Sequence, residues 1–303
     1  MQMLDQDMVK KVSAGDGFIA ALDQSGGSTP KALNGYGVDD SAWSTEEEMF
    51  GLIHEMRARI ITSPVFDGKK VLGAILFERT MDGEAGGKSV PQALLDKGIV
   101  PFIKVDKGLE AEANGVQMMK PMPELDTLLA RAKALGVFGT KERSVVNLAN
   151  REGIAAIAAQ QFEVGRQILA GGLMPIIEPE VNIKSPERAE ADQILLEEIL
   201  KQLDALPEGE QVMLKLSLPA KTGLFDPLVD HPKVLRVVAL SGGFSRTEAC
   251  VELARNRGII ASFSRALLND LRQPMSDAEF DASLGEAIDE IYAASTAKAP
   301  VAA

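Results

Sequence analysis

The chain has 303 residues, 46% of them hydrophobic and 25% charged, and these ordinary proportions for a globular protein exclude extended disorder and collagen-like or fibrous repeats. Its net charge of −12 argues against general nucleic-acid binding, which needs a basic face for the phosphates. One cysteine and two histidines are too few for a disulfide framework or the usual zinc ligands, so we expect no metal site.

The sequence shows neither a membrane segment nor an export signal. No apolar run reaches the roughly 18 residues that a membrane helix needs. The first residues, MQMLDQDMVKKV, lack the basic and apolar segments that direct secretion. We therefore predict a cytoplasmic protein with no membrane or nucleic-acid partner.

Short apolar runs rich in β-branched residues alternate with amphipathic stretches along the whole chain. The apolar runs predict strands at 18–23, 71–78, 100–106, 144–149 with an approach from Lys141, 173–178, 211–217, 234–240 and 259–264. The amphipathic stretches predict helices that include 45–61, 124–135, 154–170, 187–206 and 246–257.

Two of the predicted helices carry start signals. Ser44, with Glu47 three residues later, predicts a capping box at the start of helix 45–61. Ser185 followed by Pro186 predicts an N-cap and a first helical position for helix 187–206.

The order of the elements predicts the fold class. Eight strands with helices between them favour an α/β fold, a (β/α)8 TIM barrel of parallel strands. We expect one domain over residues 1–303, with an N-terminal helix and a C-terminal helical tail. A doubly wound sheet is the alternative, but no G-x-G-x-x-G turn follows the first strand.

Alternation along the strands predicts which side chains face the barrel interior. In strand 211–217, Val212, Leu214 and Leu216 form an apolar face, so Lys215 points inward. Buried charges are costly unless paired, and barrels build active sites at the carboxyl ends of their strands. The same alternation places further charged residues inside, near those ends, and so predicts an active site: Asp23, Lys104, Asp106, Lys141, Arg143, Glu178 and Glu180.

Lys215 is the strongest candidate for chemistry among these residues. Its strand neighbours are apolar, and Lys104 and Lys141 are expected nearby, so desolvation and like charge would both disfavour its ammonium form. A neutral amine can attack a carbonyl to form an iminium, which accepts electrons from a neighbouring carbon–carbon bond. Asp23 and Glu178 can supply the proton transfers. The residues favour lysine-dependent carbonyl chemistry.

The other two inward lysines are expected to stay charged. Lys104 has Asp106 on its own face, and Lys141 has Glu142 beside it. We therefore predict that Lys215, and neither of the other two, forms the covalent imine.

Glycine-rich turns after strands predict where an anionic substrate is held. The turn at 241–243 follows the seventh strand and Arg265 follows the eighth, and barrels commonly bind phosphate at this pair of loops. A second turn at 25–28, with Lys31, would hold another anion at the other rim of the cavity, which favours a bisphosphate. The predicted contacts are Ser25, Ser28, Ser241, Gly242, Gly243, Ser264 and Arg265.

The chain resembles the class I fructose-bisphosphate aldolases, in particular the shorter bacterial type, from about residue 17 to residue 267. The resemblance rests on eight motifs in order: ALDQSGGS, AILFE, FIKVDKG, TKERSVV, PIIEPEV, LKLSLP, LSGGFS and SFSRAL. It implies reversible cleavage of fructose 1,6-bisphosphate to dihydroxyacetone phosphate and glyceraldehyde 3-phosphate, a step of glycolysis and gluconeogenesis, without metal or cofactor. The only partner it implies is this sugar phosphate; a homo-oligomer stays a hypothesis.

The resemblance also implies a role for each matching residue. Lys215 matches the Schiff-base lysine, and Glu178 matches the acid/base that assists iminium formation. Asp23 matches the carboxylate that takes the hydroxyl proton as the bond cleaves, and Lys141 matches a lysine beside the reacting carbons. The implied cationic and phosphate contacts are Lys104, Arg143, Ser28, Ser241, Gly242, Gly243 and Arg265.

This chain departs from the longer animal-type members at several positions. They read FSYGRAL where it reads FSRAL, so the glycine whose N–H holds phosphate there is missing. They read DESTGS where it reads DQSGGS, which changes Gln24 and Gly26, and Ala32 replaces a phosphate-contacting arginine. Their C-terminal catalytic tyrosine is not matched, since the last tyrosine here, Tyr292, is expected in a helix. We expect a different affinity for the sugar phosphate.

Two other functions remain open on the sequence. Another lysine-dependent aldolase or a transaldolase would use a similar barrel on a different sugar phosphate. A non-catalytic interaction protein would use the same scaffold through its acidic surface, although the joint presence of Asp23, Glu178 and Lys215 disfavours it.

Overall fold

A computed structural model describes residues 4–299, so the outermost ends of the predicted domain, 1–3 and 300–303, lie outside the described residues. Eight parallel strands pair in chain order to form a nearly closed barrel. This confirms the predicted (β/α)8 barrel over the doubly wound sheet. The strands are β1 Phe18–Leu22, β2 Val71–Leu76, β3 Val100–Lys104, β4 Gly139–Val146, β5 Met174–Val181, β6 Val212–Ser217, β7 Val234–Leu240 and β8 Ile260–Ala261.

Helices surround the barrel and close its amino-terminal end. The helix α1 lies under the barrel, where Val12 packs among the apolar side chains of the interior. The helices are α1 Gln6–Ala14, α2 Thr29–Tyr36, α3 Glu46–Thr62, α4 Glu78–Met81, α5 Val90–Asp96, α6 Leu125–Ala134, α7 Arg151–Ala170, α8 Arg188–Ala205, α9 Asp226–Val229, α10 Arg246–Ala254, α11 Arg265–Leu268 and α12 Asp277–Thr296. Short strands Glu84–Ala85 and Lys88–Ser89 form a hairpin, and Val116–Gln117 pairs with β4.

The seam between β8 and β1 closes the barrel. β8 has only two residues, and it pairs with β7 through Ile260 and Ala261. Across the seam, the backbone N–H of Ala21 donates to the carbonyl oxygen of Phe263 at 3.1 Å. The loops that follow β8 and β1 are therefore neighbours.

The two predicted helix starts are each displaced. Thr45, and not Ser44, is the N-cap of α3: its Oγ1 accepts from the N–H of Glu48, whose carboxylate accepts from the N–H groups of both Thr45 and Ser44. The Glu48 carboxylate accepts hydrogen bonds from two backbone N–H groups that the helix itself leaves unpaired. The Glu47 carboxylate accepts from neither of them. Helix α8 starts at Arg188, so Ser185 and Pro186 precede it.

The lower half of the barrel interior, towards the amino-terminal ends of the strands, is apolar. Phe102 and Phe138 meet there edge to face, with ring centroids 5.5 Å apart. The alternation predicted for β6 is confirmed, because Met213 faces this interior while Leu214 and Leu216 pack in the outer core under the helices. We call the interior cluster the apolar floor; it includes Ile19, Ile75, Val100, Phe102, Phe138, Met174, Ile176, Met213, Val238 and Ile260.

Candidate active site

A cavity of about 760 Å³ opens above the apolar floor, at the carboxyl ends of the strands. Every predicted site residue except Gly243 lines this cavity. Gly243 lies just behind the lining, since a Cβ at this position would be 3.4 Å from Nη2 of Arg265. The structure thus brings the predicted residues together. Those that line the cavity are Asp23, Ser25, Ser28, Lys104, Lys141, Arg143, Glu178, Lys215, Ser241, Gly242, Ser264 and Arg265.

A chain of alternating charges forms the base of this cavity, and we call it the ion network. The Nζ of Lys215 lies 2.9 Å from Oε1 of Glu178, whose Oε2 lies 2.9 Å from Nζ of Lys141. Lys141 continues to Oδ2 of Asp23 at 2.7 Å and to Oδ2 of Asp106 at 3.8 Å. All five side chains are buried, so each charge is balanced by its neighbours rather than by water.

The network shifts the pKa values of two of its members, Lys141 and Asp23. Burial by itself lowers the pKa of Lys141, but the carboxylates of Asp23, Glu178 and Asp106 outweigh it and raise this pKa above its usual value. Burial raises the pKa of Asp23, but Lys141 and Lys215 hold it below its usual range. At neutral pH Lys141 is therefore a fixed cation and Asp23 a fixed anion.

Lys104 differs from Lys141 in the balance of the same effects. Burial lowers its pKa more than the attraction of Asp106 raises it, and the charge of Lys141 adds to the lowering. Its Nζ is 2.6 Å from Oδ1 of Asp106 and also donates to that residue's backbone oxygen at 2.8 Å.

The expected surroundings of the lysines need two corrections. Lys215 has apolar strand neighbours as predicted, yet Glu178 from β5 pairs with it, so all three inward lysines contact a carboxylate. Glu142 does not lie beside Lys141: it faces the outer side of β4, where its Oε2 accepts from Thr140 Oγ1 at 3.1 Å. Burial there raises the pKa of Glu142 well above its usual value. Successive residues of a strand point to opposite faces, which is why Glu142 is kept away.

The turns after β7 and β8 together form one wall of the cavity. Gly242 has φ +61°, and a Cβ there would lie 2.6 Å from Ile183 Cγ2, so this turn requires glycine. Gly243 has φ +117° and packs against the guanidinium of Arg265. Ser241 and Arg265 thus present a hydroxyl and a cationic fork to the same part of the cavity.

The second predicted anion turn, at 25–28, is not at the opposite rim. It follows β1, which lies beside β8, and Gln24 donates to Ser264 Oγ across the seam. The side of the barrel opposite β7 and β8 is formed by β3 and β4, whose cationic side chains in the cavity lining include Lys104 and Arg143 as well as Lys141. Arg143 is tied to Glu180 by an ion pair, and its N–H donates to Asp106 Oδ2 at 3.1 Å. Positive groups therefore flank the cavity on two sides.

One buried charge next to the site, Arg57, is not among the residues predicted from the sequence. Arg57 of α3 is fully buried and donates from Nη1 to Thr80 Oγ1 at 2.8 Å and from Nη2 to the backbone and side-chain oxygens of Gln24. Burial lowers its pKa to about 10, against the attraction of Asp23. A signal was present, since Arg57 lies four residues after Ile53 and four before Ile61 on the buried stripe of α3.

Three further findings concern the part of the chain that the structure covers. Between residues 4 and 299, no helix is both long and apolar enough to cross a membrane. Over the same range, no three His, Cys, Asp or Glu side chains are grouped so that they could hold one metal ion. Tyr292 lies in α12 as expected, with Lys70 Nζ 6.0 Å from its ring centroid, and it is not part of the cavity lining.

Comparison with known proteins gives the fold and the family. The structure of fructose-bisphosphate aldolase from Plasmodium falciparum superposes with a TM-score of 0.76 at 21% identity, covering 99% of this chain and 98% of that one. A protein from Corynebacterium glutamicum superposes with a TM-score of 0.52 at 14% identity, covering 97% and 88%. Both likenesses concern the fold. The family description for fructose-bisphosphate aldolase class-I matches residues 4–220, and the chain therefore belongs to the class I fructose-bisphosphate aldolase family.

Proposed function

We propose that this protein is a Schiff-base aldolase that reversibly cleaves fructose 1,6-bisphosphate to dihydroxyacetone phosphate and glyceraldehyde 3-phosphate. One observation carries the proposal: Lys215, Glu178, Lys141 and Asp23 follow one another within ion-pair distance at the base of the cavity. The arrangement combines an amine, a carboxylate on each side of a fixed cation, and room for a substrate. The cavity volume lies within the roughly 300–1,000 Å³ typical of small-molecule sites.

Formation of the imine is assigned to Lys215 and Glu178. Oε1 of Glu178 lies 2.9 Å from Nζ, close enough to take the proton of the ammonium and free the amine. The amine attacks the C2 carbonyl to give a carbinolamine. Glu178 then returns the proton to the departing hydroxyl, which leaves as water, and the iminium remains on Lys215.

Cleavage of the carbon–carbon bond is assigned to Asp23. Its carboxylate takes the proton of the C4 hydroxyl, the C3–C4 bond breaks, and the electron pair moves into the iminium to form an enamine. Glyceraldehyde 3-phosphate leaves as the aldehyde. Protonation of the enamine at C3 and hydrolysis of the imine release dihydroxyacetone phosphate. Lys141 stabilises the charged form of each carboxylate, because its ammonium contacts both Asp23 and Glu178.

The two phosphates are assigned to the two cationic sides of the cavity. One phosphate is placed against residues 241–243 and Arg265, because the guanidinium lies beside the Gly243 backbone and glycine-rich turns can offer backbone N–H donors to an anion. The other is placed near Lys104 and Arg143. No metal or cofactor takes part in the proposed reaction, and excess EDTA is expected to leave the cleavage rate unchanged. A cytoplasmic location and a homo-oligomer remain predictions.

Borohydride trapping tests the proposal directly. The protein is incubated with fructose 1,6-bisphosphate or another sugar phosphate, reduced with borohydride, and examined by intact mass and peptide mapping. We expect a stable adduct with the bisphosphate on the peptide that contains residues 213–218, and none in Lys215→Met. An adduct on Lys104 or Lys141 would overturn the assignment of the nucleophile. Trapping with another sugar phosphate alone would favour a different aldolase, and no adduct at all would favour the interaction protein.

A further inference from the structure

Three side chains from different elements form a hydrogen-bonded chain between the core and the cavity. Arg57 is buried behind the cavity wall, Gln24 follows β1, and Ser264 precedes α11. Arg57 Nη2 donates to Oε1 of Gln24 at 3.2 Å, and Gln24 Nε2 donates to Oγ of Ser264. Gln24 and Ser264 both line the cavity, whereas Arg57 reaches it only through Gln24.

The chemistry of Arg57 determines the direction of every hydrogen bond in this chain. A guanidinium can donate but cannot accept, so the atom of Gln24 that faces it must be the amide oxygen. The amide nitrogen must then face Ser264 and donate to it. Ser264 Oγ therefore acts as the acceptor, and its own hydrogen is left for another partner. Within residues 4–299 this hydroxyl donates to no protein group.

The charge of Arg57 is also without a direct ion pair, although the Asp23 carboxylate attracts it from farther away. In the described part of the chain no carboxylate lies within ion-pair distance of its guanidinium, and its contacts are to Thr80 and Gln24, both neutral. A buried cation without an ion-pair partner favours a negative charge nearby. The open side of this chain of hydrogen bonds is the cavity, beside Arg265.

We propose that Gln24 is a positioning residue that, held by Arg57, makes the Ser264 hydroxyl a dedicated hydrogen-bond donor to a phosphate group of the ligand. The identity of that ligand as a sugar phosphate rests on the proposed function. Gln24 is also one of the places where this chain departs from the longer family motif DESTGS, and Ser264 directly precedes the Tyr-Gly pair of FSYGRAL that this chain lacks. We call the hydrogen-bonded series Arg57, Gln24 and Ser264 the relay. It supplies a side-chain hydroxyl donor next to Arg265, where the longer motif has a glycine N–H.

A glutamate at position 24 would reverse the relay. Its carboxylate would pair with Arg57 and accept the Ser264 hydroxyl hydrogen, so that the hydroxyl no longer donates into the cavity. The new charge would also compensate Arg57. Gln24→Glu should therefore weaken phosphate binding while leaving the fold at least as stable as before, a combination that a merely structural role of Gln24 does not produce.

The experiment compares Gln24→Glu, Ser264→Ala and the double variant with the wild type. Binding of inorganic phosphate is measured by calorimetry, and KM and kcat for fructose 1,6-bisphosphate by steady-state kinetics. Loss of one hydrogen bond to a charged group predicts a Kd and a KM raised about tenfold in each single variant, with kcat changed much less. Because both changes act through one hydroxyl, the double variant should bind no more weakly than Gln24→Glu alone.

Gln211→Glu is the matched control, since Gln211 lies at the amino-terminal end of β6 and the change adds the same charge far from the cavity. It should leave both constants as in the wild type. Wild-type phosphate affinity in Gln24→Glu, or effects that multiply in the double variant, would overturn the proposal, as would a melting temperature that falls together with affinity. If the wild type forms no adduct with any sugar phosphate, the proposed function fails. The calorimetric titrations with inorganic phosphate would still show whether Gln24 and Ser264 contribute to phosphate binding as proposed.

Discussion

The two halves of the barrel interior are built by the same strands from opposite kinds of residue. Met213 belongs to the apolar floor and Lys215, two residues later on β6, to the ion network; Ile176 and Glu178 repeat the pattern on β5. The floor is stabilised by burial of apolar surface, about 1.5–3 kcal/mol for each large side chain. The network has to offset the desolvation of its charges by pairing them. The lower half therefore contributes stability, and the upper half contributes chemistry.

The largest expected effect is a loss of cleavage rate when Asp23 is replaced, and it distinguishes the role proposed for Asp23 from that of Glu178. In the proposed mechanism, Asp23→Asn removes the base for the C4 hydroxyl but leaves the Lys215 and Glu178 pair to which imine formation is assigned. We expect the cleavage rate to fall by about 10²–10⁴-fold, the usual contribution of a general base. Borohydride trapping with dihydroxyacetone phosphate should remain near the wild-type level. A variant that cleaves at the wild-type rate would contradict the assignment of Asp23.

Removal of the central cation should damage the fold as well as the activity. In Lys141→Met, Asp23 loses its closest cation, and Glu178 keeps only Lys215. Loss of one partner of a buried ion pair costs about 3–5 kcal/mol of unfolding free energy. Urea denaturation at pH 7 measures this cost, and Lys215→Met is the control, because Glu178 there keeps Lys141. Equal stability of the two variants would show that the network is not organised around Lys141.

A truncation in the apolar floor should lower the unfolding free energy while leaving adduct formation intact. Met213→Ala creates a cavity in a fully buried site and is expected to cost about 2–5 kcal/mol of unfolding free energy. Lys215, the proposed nucleophile, lies two residues later on the same face of β6, so the trapped adduct should still map to it. Urea denaturation measures the loss of stability, and borohydride trapping well below the melting temperature shows whether the adduct still forms on Lys215. A stable variant that no longer forms the adduct would break the division between the two halves.

The smallest effect concerns Glu142, a buried carboxyl outside the network. Because burial raises its folded-state pKa, the folded state holds the proton more tightly than the unfolded state, and wild-type stability falls as pH rises above about 4.5, the ordinary glutamate value. Glu142→Gln cannot titrate. We expect it to be equal to the wild type near pH 4 and increasingly more stable as the pH rises from there to the folded-state pKa, above which the difference stays constant. Urea midpoints across this range measure the difference, and parallel profiles would contradict it.

Local pattern was enough to place the charged residues inside the barrel. Alternation along β6 put Lys215 inward, and the same rule on β4 and β5 put Lys141 and Glu178 inward, which the ion network bears out. The same rule also predicts that Glu142, adjacent to Lys141, faces away. The expectation that it would hold the Lys141 charge considered neighbours in sequence instead of neighbours in space.

Contacts between strands could not be predicted in this way. The register of β4 on β5 pairs Arg143 with Glu178, and that of β5 on β6 pairs Ile176 with Met213, so Glu178 can reach two lysines. This register follows from the stagger of the closed barrel and has no signal within one strand. Arg57 was missed for a related reason, because its partner Gln24 lies 33 residues away in sequence.

The short strand β8 has a consequence for how the ligand and the fold depend on each other. With a ladder of two residue pairs to β7 and the bond from Ala21 to Phe263 across the seam, this sector has less backbone pairing than the eight-pair ladder between β4 and β5. Sectors with few hydrogen bonds open at the lowest free energy. The turn at 25–28 and Arg265 stand on the two sides of this seam. A ligand held by both would act as a cross-link over it, so amide exchange at Ala21 should slow as the cavity fills.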